Sequence, residues 1–132
     1  MTHIFFTDDQ IKNVYPVLYK EVFNEECKNK PNVVLAVPDG NNFSCYLAGY
    51  WLGNYSFYIQ DAGVIPEYRL KGFLRHLKGA LNSLVGVRFI TMTDNQNITA
   101  MKTLLLVGFK PIGGKFIDNI YYVEWLLEAQ NG

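Results

Sequence analysis

Apolar side chains recur at helical intervals from Ile11 through Val14, Tyr15, Leu18 and Val22, and Thr7 stands three residues before Gln10 at capping-box spacing. The pattern predicts an amphipathic helix from Thr7 to about Cys27. A polar break from Lys28 to Asn32 then gives way to the apolar run VVLAV, Val33 to Val37, which stops at the turn-forming sequence PDGNN. A second strand is expected from Phe43 to about Leu52 and, after a turn at Gly53-Asn54, a third from Tyr55 to Ile65. These three segments read as an antiparallel meander.

Beyond Pro66 the period changes. Phe73, Leu77, Ala80, Leu81 and Leu84 share one helical stripe, Gly86 ends it, and Arg88 to Thr93 reads as a strand. Strand, helix, strand is a βαβ unit, whose strands run parallel. Asp94 or Asn95 is placed to cap a further helix carrying Ile98, Met101, Leu104 and Leu105 and closing at Gly108. Phe109 to Ile117 and Ile120 to Leu127 complete a hairpin around Asp118-Asn119. The fold class expected is α/β (α+β), a mixed, mostly antiparallel central sheet with a parallel βαβ unit and helices on both faces.

A chain of 132 residues suits one domain with one core, so residues 1–132 are expected to form a single domain. Its twelve basic and twelve acidic side chains cancel, which leaves no global field to hold a nucleic-acid backbone or an anionic membrane. Any anion must be met by a local patch. The aromatic richness is not interleaved with basic residues as a single-strand binding surface would require, so most rings, including Trp51 and Trp125, are assigned to packing. No segment approaches the roughly 20 apolar residues of a membrane span. Two cysteines, Cys27 and Cys45, make neither a disulfide framework nor a metal quartet, and the first residues lack the layout of a signal peptide, so a cytoplasmic location is expected.

One local patch stands out, in the stretch GVIPEYRLKGFLRHL from Gly63 to Leu77. Pro66 has no amide proton and directs the chain out of the sheet. The helix that follows starts near Gly72, and its first turn presents free amide N–H groups and the positive end of the macrodipole to a phosphate or pyrophosphate. Arg69 and Lys71 add mobile cations, and Gly72 permits close backbone approach. The spacing of a Walker loop and of a dinucleotide-binding glycine fingerprint are both absent.

VIPEYRLKG, Val64 to Gly72, resembles the central motif of the GCN5-related N-acetyltransferase (GNAT) superfamily, in which a strand ending V-x-P-x-Y-R-x-x-G leads into a helix. Asn97, Ala100, Gly108 and Phe109 stand at the spacing of that family's later N-x-x-A…G-F motif, and the likeness runs from about Val33 to Leu127. The resemblance implies a GNAT-like fold and an acetyl-CoA-dependent N-acetyltransferase acting on a primary amine of a small molecule or peptide. It implies that Arg69, Leu70, Lys71, Gly72, Phe73 and Leu74 bind the pyrophosphate of acetyl-CoA. It further implies that backbone groups of Ala62, Gly63 and Val64 pair with the pantetheine arm, where the third and fourth sheet strands splay, and that Asn97 contacts the cofactor. The helix and loop before Val33, with the final hairpin, would form the acceptor side.

Two positions depart from the family pattern: Leu74 stands where Gly or Ala is usual, and Leu104 where a tyrosine often protonates the departing thiolate. The proton must then come from water or from Tyr121 or Tyr122, one of which faces the cleft by strand alternation. Asp61 is the preferred base for the amine, ahead of Glu67. Leu74 and Leu104 also motivate a second reading, a non-catalytic binding or assembly protein of the same fold. His76 is expected on the solvent edge of its helix, His3 makes no metal site, and Cys45 is read as a small buried apolar group. The aromatic last strand is a candidate for pairing across a homodimer if its edge is free.

Overall fold

The chain opens with a strand too short to leave a period in the sequence, β1 (Ile4–Phe5), which pairs antiparallel with the strand at Val33–Asp39 through Ile4↔Ala36 and Phe5↔Leu35. This is a computed structural model that describes residues 3–69 and 72–130. Thr7 makes the capping box its spacing predicts: its hydroxyl accepts from the Gln10 amide, and the Gln10 side chain accepts from the Thr7 amide. The single helix expected up to Cys27 is instead two, α1 (Asp8–Asn13) and α2 (Tyr15–Phe23). Pro16 lies in the first turn of α2, where its missing N–H costs nothing, whereas within one continuous helix it would break an i→i−4 bond and clash with a carbonyl. Asn24 ends α2 in the left-handed conformation at φ 55°, leaving Glu25 to Cys27 outside the helix.

The chain divides into two compact units, Met1–Tyr50 with Ile59–Leu84 and Trp51–Tyr58 with Val85–Gly132. The first unit carries β1, β2 (Val33–Asp39), β3 (Asn42–Trp51, to Tyr50) and the later part of β4 (Ser56–Val64), in sheet order β1-β2-β3-β4. β2 and β3 form an antiparallel hairpin from Val33↔Gly49 to Asp39↔Asn42, with Gly40 at φ 62° in the turn. Side chains two apart on a strand share a face, so Val34 and Ala36 on β2 and Tyr46 and Ala48 on β3 line up toward one cluster. Phe6, Tyr15, Leu18 and Ile65 complete it. Ser44 to Gly49 are all buried, as expected of a strand covered on both faces. α2 comes so close to β4 that a Cβ built on Gly63 would overlap both methyl carbons of Val22. After Ile65, whose amide bonds to the Ser44 carbonyl, the chain turns through the short helix α3 (Pro66–Arg69) into α4 (Phe73–Asn82).

The second unit holds the start of β4, then β5 (Arg88–Asp94), α5 (Ile98–Val107), β6 (Lys110–Ile117) and β7 (Ile120–Leu127), in sheet order β4-β5-β7-β6. β4 and β5 are parallel through Ser56↔Arg88, Phe57↔Phe89 and Tyr58↔Ile90, as the βαβ pattern predicts. The seven strands are those of a mixed sheet, antiparallel in the β1–β2, β2–β3, β5–β7 and β6–β7 pairs. β7 lies between β5 and β6, so the strand singled out for pairing across a dimer has both edges taken. The edge strand is β6, and its side chains are exposed along the whole of its length. Asp118 and Asn119 turn the hairpin at φ 50° and 67°. Trp125 is buried, its indole N–H donating to the Thr93 hydroxyl at 2.8 Å, while Trp51 is exposed and packs edge-on to Phe57. Among the described residues no helix is long and apolar enough to cross a membrane.

Candidate active site

At the centre of the first unit a carboxylate is enclosed by neutral donors. Asp61 stands on β4, and its Oδ1 accepts from the Tyr15 hydroxyl at 2.7 Å and from Asn29 Nδ2 at 2.9 Å, while its Oδ2 accepts from the Tyr46 hydroxyl at 2.7 Å. Tyr15 comes from α2 and Tyr46 from β3; both are fully buried, with their rings edge to face at 5.7 Å. Burial pushes the Asp61 carboxyl above the ordinary aspartate range, and the hydrogen bonds from Tyr46, Tyr15 and Asn29 pull it back. The two phenols are pushed far upward, chiefly by burial, and so remain protonated donors. A carboxylate offers about four lone-pair positions, and the described residues fill three of them, two on Oδ1 and one on Oδ2.

Asn29 also lines a cavity of 440 Å³ together with Tyr19, Glu25, Glu26 and Lys28. The Tyr19 hydroxyl donates to Glu25 at 2.9 Å and is pushed up to about 12, first by burial and then by that bond. Glu26 pairs with Lys20 at 3.0 Å on the exposed side of α2. Neither Asn29 nor Tyr46 is singled out by the sequence, and Tyr15 appears there only as one member of an apolar stripe. The signal for all three is conditional: once β4 is known to carry a carboxylate toward the interior, donors must be sought for it.

The Val64 to Gly72 corner is partly as its motif predicts. Gly72 sits at φ 106°, in the left-handed region that favours glycine, and caps α4 with no side-chain hydrogen bond. Arg69 is not the mobile cation expected from the sequence. Its Nε donates to the Val64 carbonyl at 2.9 Å and its Nη2 to the Val22 carbonyl at 3.0 Å, so the guanidinium ties α3 to the end of β4 and to α2. Leu70 and Lys71 lie outside the described residues, as do the side chains of Phe73 and Leu74. Glu67 is exposed on α3. Tyr68 donates to Asp39 and meets the His76 ring edge-on at 5.7 Å. His76 is thus half-buried rather than at the solvent edge, and its Nδ1 is a buried nitrogen with no hydrogen-bond partner among the described residues. Cys45 is buried, its thiol pushed up by burial, in keeping with a structural role.

In the second unit Asn97, rather than Asp94 or Asn95, caps α5, its Oδ1 accepting from the Ala100 amide at 3.1 Å. Asp94 instead accepts from the Gln96 amide at 2.9 Å, which shapes the turn leading into the cap. Tyr121 packs edge-on to Phe116 at 5.0 Å, and its hydroxyl occupies the space a side chain at Gly114 would need. Tyr122 points to the other face of β7, in register with Asp94 and Lys115.

Comparison with solved structures places this architecture. The ribosomal-protein-S18-alanine N-acetyltransferase from Escherichia coli matches with a TM-score of 0.66 at 9% identity, covering 99% of this chain and 96% of that one. A GNAT-family acetyltransferase from Bacillus cereus matches with a TM-score of 0.64 at 12% identity over 99% of this chain and 100% of its own. A Bacillus anthracis protein assigned as a streptothricin acetyltransferase, in complex with acetyl coenzyme A, matches at 0.60 and 17% identity over 97% of this chain and 99% of that one. No protein-family model matches the sequence, and no curated protein matches it significantly. The chain therefore has the fold of the GCN5-related N-acetyltransferases, as the resemblance of its two motifs implies.

Proposed function

We propose that this protein is an acetyl-CoA-dependent N-acetyltransferase that moves the acetyl group to a primary amine of a small molecule or peptide. The observation that carries the reading is a single passage of chain. β4 presents Asp61 and, after Pro66, the chain enters α4 through Gly72 with no side-chain cap on the helix. The fold likeness supports it, and one protein of similar fold is in complex with acetyl coenzyme A.

The residues present fit such a ligand. A ten-residue helix whose N-cap, Gly72, supplies no side-chain hydrogen bond is suited to a pyrophosphate, and Arg75 Nε, 3.4 Å from where a Cβ on Gly72 would stand, adds a guanidinium at its entry. Because Arg69 is committed to two carbonyls, the local charge is assigned to the first-turn amides of α4 and to Arg75 beside Gly72. Of the backbone groups in Ala62, Gly63 and Val64, the Val64 carbonyl already accepts from Arg69. Acetyl-CoA, when bound, supplies an acetyl group activated as a thioester. Asp61 takes a proton from the ammonium form of the acceptor: an N–H bond breaks, an O–H bond forms, and the nitrogen keeps the electron pair with which it attacks. With Leu104 in place of the family's tyrosine, the departing thiolate is protonated by water or by Tyr121 or Tyr122, and Asn97 keeps the cofactor contact that the motif implies.

Calorimetric titration with acetyl-CoA tests this directly, and thiol release across a panel of amines then identifies the acceptor. Micromolar binding with turnover is expected. Absence of binding at millimolar ligand by a folded protein would overturn the enzyme and favour the second reading, a non-catalytic binding or assembly protein. That alternative is motivated by the engaged Arg69 guanidinium and by Leu104.

A further inference from the structure

We infer that the free edge of β6 is an interface for a second copy of this chain, the two β6 strands pairing antiparallel about a two-fold axis at Gly114. The surface belongs wholly to the second unit, so the pairing stands apart from the acetyltransferase reading.

β6 ends the sheet, and among the described residues no strand lies on its outer side. Its side chains are all exposed, Phe116 at 73% and Ile112 at 53%, which sets an apolar surface beside a row of backbone groups without a ladder. The hairpin fixes which of those groups face outward. Asp118 and Asn119 make a two-residue turn with positive φ at both positions, so the closing pair Ile117↔Ile120 is hydrogen bonded. Going back along β6, Lys115 and Gly113 likewise turn their N–H and C=O toward β7. Phe116 and Gly114 therefore turn theirs to solvent, and the alternation continues to Ile112, which the register shift leaves without a partner on β7.

A second β6 with Gly114 opposite its own copy uses all three outward positions. Phe116 then faces Ile112 of the other copy, Ile117 faces Pro111, Lys115 faces Gly113, and Asp118 faces Lys110, each contact made twice by symmetry. Pro111 falls at a position where the new ladder asks for no donor, so its missing N–H costs no bond. Nothing in the chain stands within 4 Å of a Cβ built on Gly113, and the stem of the opposite Lys115 can lie across that open floor. Centring the axis on Lys115 instead would set two ammonium groups face to face. Charge selects the occupant. Among the described residues Lys110 and Asp118 have no hydrogen bond or ion pair, yet they bracket β6 so that opposite charges meet when the strand runs against its own reverse. Two equal lysine–aspartate contacts, one at each end of the ladder, are what a second copy supplies.

Sedimentation equilibrium from about 10 µM to about 1 mM reads the mass, a range that spans the affinity of a short ladder. The wild type is expected to reach twice the chain mass. Lys110→Glu, which places two acidic pairs in the dimer, should weaken association at least several-fold. Mixing it with Asp118→Lys should restore association, because both contacts in the mixed dimer then join opposite charges. Lysine strains the left-handed turn position 118, so Lys110→Glu alone is also read by amide hydrogen exchange at matched concentration. The amides of Ile112, Gly114 and Phe116 should exchange roughly tenfold slower in the wild type than in Lys110→Glu, while those of Gly113 and Lys115, held by β7, should not differ. A chain that stays monomeric to the highest concentration overturns the second copy as the occupant. A dimer whose Ile112, Gly114 and Phe116 amides are no slower, or one that Lys110→Glu leaves as tight, overturns β6 in this register as its seat.

Discussion

Nη2 of Arg69 lies 3.0 Å from the backbone oxygen of Val22, in the last turn of α2 and 47 residues earlier in the chain. With Nε on the Val64 carbonyl, this makes one guanidinium a bracket between a helix end, a strand end and α3. Arg69→Ala is therefore expected to cost about 2–3 kcal/mol in urea denaturation, because two carbonyls lose charge-assisted donors. Arg69→Lys should recover less than half, since a single ammonium does not reproduce a planar fork aimed at two acceptors. A cost under about 0.5 kcal/mol would return Arg69 to the role of a free surface cation.

The same helix end meets Gly63. Gly63→Ala should destabilise by about 1–3 kcal/mol through overpacking against Val22. In the double variant with Val22→Ala, part of that cost should disappear, giving a coupling of at least about 0.5 kcal/mol in a double-mutant cycle. Strict additivity would mean that the two residues do not meet.

Asp61 gives the stability a definite pH dependence. Its folded carboxyl binds protons more tightly than the unfolded one, so its contribution is fully present below the ordinary aspartate value of about 4 and is lost as pH rises through the folded value. Urea midpoints across this range should fall with rising pH by more in the wild type than in Asp61→Asn, which cannot ionise. Parallel curves for the two proteins would show that the donors fully offset burial.

Asn97 has a structural task that can be separated from any ligand contact. Asn97→Ala should lower stability by about 1 kcal/mol through loss of the α5 cap, whereas Asn97→Asp should retain the cap. If Asn97 also touches acetyl-CoA, the Asp variant should bind it more weakly while melting like the wild type. Equal affinity in wild type and Asn97→Asp would confine Asn97 to capping.

The fold was legible where a period or a turn signal is strong. The β2–β3 hairpin, the βαβ order and the Asp118-Asn119 turn all follow from local residues. Local pattern did not show that Pro16 restarts a helix, because the apolar stripe continues across it in register. β1 has two residues, and two positions define no alternation. Among the candidate residues, the left-handed conformation of Gly72 was legible from residue type. The Asp61 cage was not, since Tyr15, Asn29 and Tyr46 are brought together by hairpin register and helix packing across 15 to 46 residues of chain. Arg69 was misread for the same reason: a basic side chain beside a glycine looks mobile until the carbonyls that meet it are located.

The strand order of the second unit also sets a timetable. Among the described residues β5 and β6 form no ladder with one another, and β7, the strand made after both, lies between them. As the chain leaves the ribosome, β5 can pair with β4, but β6 must wait for β7 to enter the place between them. Until residues 120–127 have emerged, β6 lacks the strand it pairs with, and a chaperone that binds exposed strands would meet β6 and the free edge of β5.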